Sequence, residues 1–157
     1  MQNTETILFY GVGGQGVLTA SEVCAMAAML DGSHVKKSEV KGMAQRGGSV
    51  ESYVRFGKHV YSPIPPDGSV DMLVCLYEGE YDRFRGVLKK GGIDLFPYLK
   101  KGNEAVGGKK IFLNSYMLGV LSSFLEIRES CWHEAMDRIF KREKEENRNY
   151  FIMGRRG

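Results

Sequence analysis

The sequence has few of the residues from which metal and redox centres are built. Its three cysteines, Cys24, Cys75 and Cys131, lie far apart in the chain, and its three histidines are equally scattered. No C-x-x-C pair exists, so this chain alone is not expected to ligate zinc or an iron–sulfur cluster. An odd number of cysteines also fits a reducing compartment, in which buried thiols pack as small apolar side chains.

Long apolar runs and a strong excess of one charge are also absent. The apolar runs fall short of the roughly 20 residues that span a bilayer, and the first residues do not predict a leader peptide. The net charge is +3, and 22 basic residues are interspersed with 19 acidic ones, so no surface that follows nucleic-acid phosphates is predicted. We therefore expect a cytoplasmic protein without a membrane or nucleic-acid partner, folded as a single domain over residues 1–157.

Glycine, by contrast, is concentrated in one short stretch. Four glycines follow the apolar run 6–10 and precede the apolar segment 17–30, namely Gly11, Gly13, Gly14 and Gly16. They form the pattern G-x-G-x-x-G. A tight turn between a strand and a helix presents backbone N–H groups and a positive helix end, which together suit a diphosphate. The pattern predicts either a dinucleotide site or a tight connection that binds nothing.

The remaining patterns predict an α/β fold, a Rossmann-like three-layer domain with an open, mainly parallel sheet, an antiparallel hairpin and C-terminal helices. Strands are predicted at 6–10, 34–38, 70–76 and 93–96, the hairpin at 49–56 and 59–62, and helices at 17–30, 81–88, 114–127 and 130–140, with Ser130 as an N-cap. The string "KKGG", residues 89–92, is predicted as a turn. The apolar tail 150–153 is expected to dock on another surface.

The second predicted strand is basic, which favours a phosphate over a nicotinamide cofactor. Glu39 lies where a ribose-binding carboxylate would be expected, but Lys36, Lys37 and Lys41 surround it. The glycine-rich string "GMAQRGGSV" that follows contains Arg46. Its guanidinium can make paired hydrogen bonds, so Arg46 is the better candidate for a phosphate contact.

Two strings carry a resemblance to a known family. "GVGGQGVLTASEV" and "HVKKSEVKGMAQRGGSVESYVRFGKHVYSP" closely resemble the gamma-type domain of the 2-oxoacid:ferredoxin (acceptor) oxidoreductases, as it occurs in the beta subunit of indolepyruvate ferredoxin oxidoreductase. The resemblance continues through "DMLVCLYEGEYDRF" and "LKKGG" and returns at "NSYMLGVLSSFLEI". It therefore covers most of the chain.

The resemblance implies a non-cluster subunit of an anaerobic enzyme that oxidatively decarboxylates a 2-oxoacid to an acyl-CoA. Thiamine diphosphate and [4Fe-4S] clusters are implied on a larger alpha subunit, with ferredoxin as electron acceptor of the assembly. The isolated chain is expected to be inactive, since the difficult chemistry belongs to the cofactors and no catalytic residue or metal ligand is assigned to this chain. Coenzyme A is expected at the interface between the subunits.

The residues implied in cofactor binding belong to the glycine stretch, the second strand and the loop after it. They are Gly11, Gly13, Gly14, Gln15, Gly16, Lys37, Ser38, Arg46, Gly47 and Gly48. Within this set we expect Gly13, Gly14 and Gln15 beside a diphosphate. Lys37 and Arg46 would supply positive charge.

The chain departs from the family at two places. Relatives usually have histidine where this chain has Lys41, and they carry a longer segment in place of Pro97–Ile111. Either the segment is a true deletion, and the sheet then has one strand fewer than theirs, or a stretch of sequence is missing here. Three alternatives stay open: a gamma subunit acting on pyruvate, 2-ketoisovalerate or 2-oxoglutarate, a stand-alone nucleotide-binding or regulatory module, and a scaffold whose loop binds nothing. The sequence leaves undecided both the 2-oxoacid and the oligomeric state, including a dimer of the isolated chain.

Overall fold

A computed structural model of the protein describes residues 4–41 and 48–157. Five strands form one open sheet in the order β2-β3-β1-β4-β5. They are β1 (Glu5–Val12), β2 (His34–Lys41), β3 (Ser49–Gly57), β4 (Val70–Cys75) and β5 (Leu88–Asp94). β1 is parallel to β4 and β4 to β5, whereas β3 is antiparallel to both β1 and β2. All strands except β3 thus share one direction, which confirms the mainly parallel α/β sheet.

The helices are α1 (Val17–Leu30), α2 (Tyr81–Phe84), α3 (Leu99–Val106), α4 (Leu113–Ser122), α5 (Glu129–Ile139) and α6 (Lys144–Arg156). α1 has the predicted bounds. It lies on the sheet over β1, β2 and β3, and α5 packs on its other side. This double cover explains why α1 is apolar around nearly its whole circumference. Within the two described ranges, none of the helices has the length and apolarity to cross a bilayer.

The antiparallel hairpin is formed by β2 and β3, and not by the two segments from which it is predicted. β3 is where the sequence predicts it, but residues 59–62 form no strand, and the hairpin partner of β3 is the preceding strand β2. Segment 59–66 instead crosses the sheet, where its backbone carbonyls accept hydrogen bonds from side chains of β2 and β3. The three prolines of this segment have no backbone N–H group to donate to a neighbouring strand. The segment therefore contacts the sheet through its carbonyl oxygens, which accept hydrogen bonds from side chains.

Further boundary predictions were wrong, including the helix predicted over 114–127, which ends at Ser122. Residues 89–92 are part of β5 rather than a turn, and this strand ends at Asp94 instead of reaching Phe96. The pairing of β5 with β4 contains a register shift, and Gly91 of β5 has φ of 82°. The helix predicted over 81–88 is the single turn α2 between two 3₁₀ turns. Ser130 is not an N-cap, because α5 begins at Glu129 after Arg128 and has no side-chain cap.

The apolar tail docks on the chain's own core. Residues 150–153 belong to α6, which packs along α4, a helix whose residues are all buried. Two glycines allow the backbones to touch: a Cβ added at Gly154 would lie 2.0 Å from the carbonyl oxygen of Tyr116, and one at Gly119 would lie 2.0 Å from that of Phe151. The buried ring of Phe151 also contacts Trp132, with ring centroids 5.8 Å apart. Of the apolar tail, Phe151 is therefore part of the core and Tyr150 and Ile152 pack against it, whereas Met153 is exposed.

The free thiols of Cys24, Cys75 and Cys131 are all buried. Burial raises the pKa of the Cys24 thiol and raises the pKa of the Cys75 thiol to about 11. At pH 8 an exposed thiol is roughly one quarter thiolate, whereas one with pKa 11 is about one thousandth thiolate.

We therefore expect Cys24 and Cys75 to react with a thiol reagent such as DTNB at pH 8 at least ~100-fold more slowly in the native chain than in urea. All three thiols should titrate once the chain is unfolded. Native labelling of these two residues at the unfolded rate, located by peptide mapping, would contradict the described core.

Candidate functional site

The glycine stretch forms the connection between β1 and α1, at the carboxyl end of β1. Gly14 and Gly16 have φ of 89° and 75°, a left-handed conformation that glycine adopts without strain. Gly16 is the N-cap of α1 and gives the helix no side-chain cap. The first N–H groups of α1 therefore stay available at its positive end, as an anion site requires.

Gly11 is needed for close packing beneath the loop. A Cβ at this position would lie 3.0 Å from both Oε1 of Gln15 and Cγ2 of Val17. The same Oε1 accepts a long hydrogen bond of 3.4 Å from the backbone N–H of Val12. The Gln15 side chain thus folds back over its own turn, while Gly13 and Gly14 form its exposed crest.

A buried side chain that sequence reasoning missed supports the loop from below. Asn114, the second residue of α4, donates from Nδ2 to the carbonyl oxygen of Gly16 at 3.4 Å. Its Oδ1 accepts the N–H of Ser115 at 2.8 Å, and the hydroxyl of Ser115 donates to Oδ1 of Asn147 in α6 at 2.6 Å. This polar chain connects the loop to the C-terminal helices. The only sequence signal for this role is the polar pair Asn114–Ser115 near the start of an otherwise apolar helix.

The site lies where the connections from two neighbouring parallel strands diverge to opposite faces of the sheet. On the α1 face, Ser52, the β3 partner of Phe9, donates its hydroxyl to Ser21 of α1 at 2.9 Å. The next residue of β1, Tyr10, points to the other face, where its ring packs on Phe84 of α2 with centroids 4.7 Å apart. In open α/β sheets, ligands bind outside the carboxyl ends of the strands at such a switch point.

The segment that follows β4 forms the opposite wall of this crevice. The N–H of Leu76 donates to the carbonyl oxygen of Tyr10 at 2.9 Å, and Cβ of Leu76 is 3.3 Å from where a Cβ at Gly11 would lie. A separate cleft of about 520 Å³ lies between Glu78 and the start of α3 at Leu99, and its lining residues do not include the glycine turn.

The structure brings one of the residues predicted in the second loop to the glycine turn. The N–H of Gly13 donates to the carbonyl oxygen of Gly48 at 3.0 Å, so the beginning of β3 adjoins the crest of the turn. Arg46 and Gly47 lie outside the described residues. Their role, like that of Gly48, stays a prediction.

The other two predicted residues are on β2 and do not approach the turn. Lys37 lies level with Ile7 of β1, four positions before Gly11 and two strands away. Its Nζ pairs with Glu39 at 2.8 Å. Ser38 points to the opposite face, since successive side chains of a strand alternate, and its hydroxyl donates to the carbonyl oxygen of Pro63 at 3.1 Å. Both side chains have partners within the chain.

The chain is similar in sequence and in fold to known proteins. A family model described as pyruvate ferredoxin/flavodoxin oxidoreductase matches residues 6–98. Over 87 residues the chain is 46% identical to indolepyruvate oxidoreductase subunit IorB of Thermococcus kodakarensis, a match that covers 55% of this chain and 43% of the relative. The chain thus accounts for less than half the length of this relative.

Two solved structures have the same fold. The gamma subunit of keto/oxoacid ferredoxin oxidoreductase from Geobacter sulfurreducens aligns with a TM-score of 0.72 and 26% identity, over 97% of this chain and 94% of that one. The 2-oxoglutarate:ferredoxin oxidoreductase from Magnetococcus marinus, solved with 2-oxoglutarate, coenzyme A and succinyl-CoA bound, aligns with a TM-score of 0.82 over 98% of this chain and 30% of that one. Its identity is 17%, so this likeness concerns the fold alone.

Proposed function

Because the chain belongs to the pyruvate ferredoxin/flavodoxin oxidoreductase family, we propose that it is the gamma-type subunit of a 2-oxoacid:ferredoxin oxidoreductase. The match of the family model over residues 6–98 carries this proposal, since it includes the glycine turn and the strands on both sides of it. The Geobacter gamma subunit, which aligns over almost the whole of both chains, supports it. Residues 1–157 act as one domain of that enzyme.

The substrate is indolepyruvate or another arylpyruvate. The 46% identity to an indolepyruvate oxidoreductase subunit supports this choice over pyruvate, 2-ketoisovalerate and 2-oxoglutarate. Side chains that recognise the aryl group lie on the larger subunit, as do thiamine diphosphate and the [4Fe-4S] clusters. The described parts of this chain contain no group of three or more His, Cys, Asp and Glu side chains that could hold a metal ion. Ferredoxin accepts the electrons of the assembled enzyme.

This chain's own part is to receive the diphosphate of coenzyme A. Gly13 and Gly14 are exposed, so a ligand can approach the backbone, and no side chain caps the positive end of α1. These features fit a diphosphate whose charge the positive end of α1 stabilises, since the N–H groups of Gly13 and Gln15 already donate to the carbonyl oxygens of Gly48 and Val12. When bound, coenzyme A supplies the thiol that accepts the acyl group. The chain orients the cofactor and leaves proton and electron transfer to groups of the partner.

Co-expression with the larger subunit from the same organism tests the proposed function. We expect the two chains to co-purify at a fixed ratio and to reduce methyl viologen only when a 2-oxoacid and coenzyme A are both present. Each chain alone should be inactive, and indolepyruvate should give the highest kcat/KM among the 2-oxoacids. Failure of the two chains to associate would contradict the proposal. Tight calorimetric binding of NAD or FAD by the isolated chain would favour a stand-alone nucleotide-binding module instead.

A further inference from the structure

The glycine turn is held only weakly by its own hydrogen bonds. The N–H of Gln15 donates to the carbonyl oxygen of Val12 at 3.4 Å, and the N–H of Val12 donates to Oε1 of Gln15 at 3.4 Å. Both distances exceed the roughly 2.7–3.2 Å of an ordinary N–H···O bond. Glycine also has more conformational freedom than any other residue, and the turn is rich in it. The conformation of the turn therefore depends on groups outside it.

Asn114 contacts the turn at Gly16, the residue from which α1 begins. A Cβ added at Gly16 would overlap Nδ2 of Asn114 and lie 3.1 Å from its Cγ, so the amide packs directly on the backbone of the turn. Nδ2 also donates to the carbonyl oxygen of Gly16 at 3.4 Å. The same oxygen accepts the N–H of Ala20 at 2.9 Å, which is the first hydrogen bond of the helix. Asn114 thus contacts the group that sets where α1 starts.

The amide of Asn114 is buried and has one orientation. The residue is 4% exposed, and its Oδ1 accepts the N–H of Ser115 at 2.8 Å, which leaves Nδ2 to face Gly16. α4 is in turn tied to α6, because the hydroxyl of Ser115 donates to Oδ1 of Asn147 at 2.6 Å and Nδ2 of Asn147 donates to the carbonyl oxygen of Glu143 at 3.0 Å. A buried polar network with paired groups favours a single arrangement.

The rest of α1 is held independently of Asn114. The hydroxyl of Ser21 donates to the carbonyl oxygen of Leu18 at 2.9 Å and accepts the hydroxyl of Ser52 in β3 at 2.9 Å. Apolar side chains along the helix are buried, and the helix packs on the sheet and on α5. Loss of the Asn114 amide should therefore loosen the glycine turn and the first turn of α1 while the fold is kept.

We propose that Asn114 is a positioning residue for coenzyme A, because it holds Gly16 so that the first N–H groups of α1 face the diphosphate. This inference rests on the proposed function. The stabilisation of an anion by a helix end falls off within the first turn, so a small displacement of that end weakens binding. The effect concerns coenzyme A alone, since the 2-oxoacid and the redox cofactors bind to the partner.

The test compares Asn114→Ala with Ser115→Ala in the reconstituted enzyme. Ser115→Ala is the matched control, because it removes a buried hydrogen bond from the same network but keeps the backbone N–H that Asn114 accepts. We expect the KM for coenzyme A to rise ~10-fold or more in Asn114→Ala, since small misplacements of binding groups have effects of at least this size. The kcat and the KM for the 2-oxoacid should be unchanged, and Ser115→Ala should keep the wild-type KM for coenzyme A.

Asn114→Asp tests the same contact without a change in size. Aspartate keeps the oxygen that accepts the N–H of Ser115, and a carboxylate is well tolerated in the first turn of a helix such as α4. Its second oxygen replaces the donor that faces the carbonyl oxygen of Gly16. The KM for coenzyme A should therefore rise at least as much as in Asn114→Ala.

Hydrogen exchange of the isolated chain gives a readout that does not depend on catalysis. In Asn114→Ala the N–H of Ala20, which donates to Gly16, should exchange ~10-fold faster, as expected for local opening of a helix end. The N–H of Asp31, which donates to Ala27 at the other end of α1, should keep its rate. Ser115→Ala should leave both rates unchanged.

Three results would overturn the inference. A wild-type KM for coenzyme A in both Asn114 variants, or an unchanged exchange rate at Ala20, would mean that Asn114 does not hold the turn for its ligand. An equal rise in KM in Ser115→Ala would assign the effect to lost stability of the network. If the wild-type enzyme does not require coenzyme A, the proposed function fails before any variant is compared, and this inference fails with it.

Discussion

Gly154→Ala is expected to destabilise the chain by a net amount of about 2 kcal/mol, because overpacking of a core costs up to about 3 kcal/mol and alanine in a helix recovers about 1 kcal/mol. The added Cβ would lie 2.0 Å from the carbonyl oxygen of Tyr116. Since the obstructing atom belongs to the backbone of a buried helix, no side-chain rotation can relieve the clash.

Urea unfolding followed by circular dichroism would measure this loss, and Gly119→Ala, on the facing helix, should give a similar value. Gly108→Ala is the control, because a Cβ at Gly108 would meet no atom within 4 Å. It should change the free energy of unfolding by no more than about 0.5 kcal/mol. A Gly154→Ala chain as stable as wild type would mean that α4 and α6 are not in backbone contact.

The second expected result is that, in the reconstituted enzyme, Gly14→Asp raises the KM for coenzyme A about tenfold over Gly14→Asn. Gly14 has φ of 89° and open space around its Cβ position, so both variants carry the same backbone strain and meet no clash. Aspartate and asparagine are the side chains that best tolerate this conformation. They differ in one negative charge beside the proposed diphosphate site. A repulsion of about 1.4 kcal/mol corresponds to the tenfold change.

Steady-state kinetics with coenzyme A varied and the 2-oxoacid saturating would separate the two variants. We expect kcat and the KM for the 2-oxoacid to be equal in the pair, and the difference in the KM for coenzyme A to shrink at high salt, because solvent ions screen charges near the surface. Equal KM values for coenzyme A in the two variants would show that the diphosphate does not bind at this turn. The scaffold interpretation would then stand.

Local patterns were sufficient for the parts of the fold whose signals are short-range. The bounds of α1 follow from the glycine before it and the Asp31–Gly32 pair after it, and β1, β3 and β4 differ from prediction by at most two residues at either end. Strand pairing could not be predicted from such local patterns. β3 pairs with β2 and with β1, because antiparallel pairing depends on which strands exchange hydrogen bonds and not on the pattern of either strand alone.

The same distinction between short-range signals and long-range pairing applies to the predicted site residues. The conformation of Gly14 and Gly16 is a local matter of backbone sterics, so the glycine pattern alone predicted a turn at the helix end. The family resemblance groups Lys37 and Ser38 with this turn, whereas their level on β2 and their opposite faces result from register. Asn114 is 98 residues from Gly16 in the chain, and nothing local marks it as the support of that turn.

By itself, the amino-acid sequence determined the α/β class, the tight turn between β1 and α1, and the family, since each depends on residues close together in the chain or on whole motifs. Only the tertiary structure decided that the C-terminal helix packs along α4 through Phe151 and Gly154, and that Asn114 supports the glycine turn. These features depend on burial and on contacts between distant segments. They arise only when the chain has packed, because the free energy that favours them comes from removing apolar surface from water.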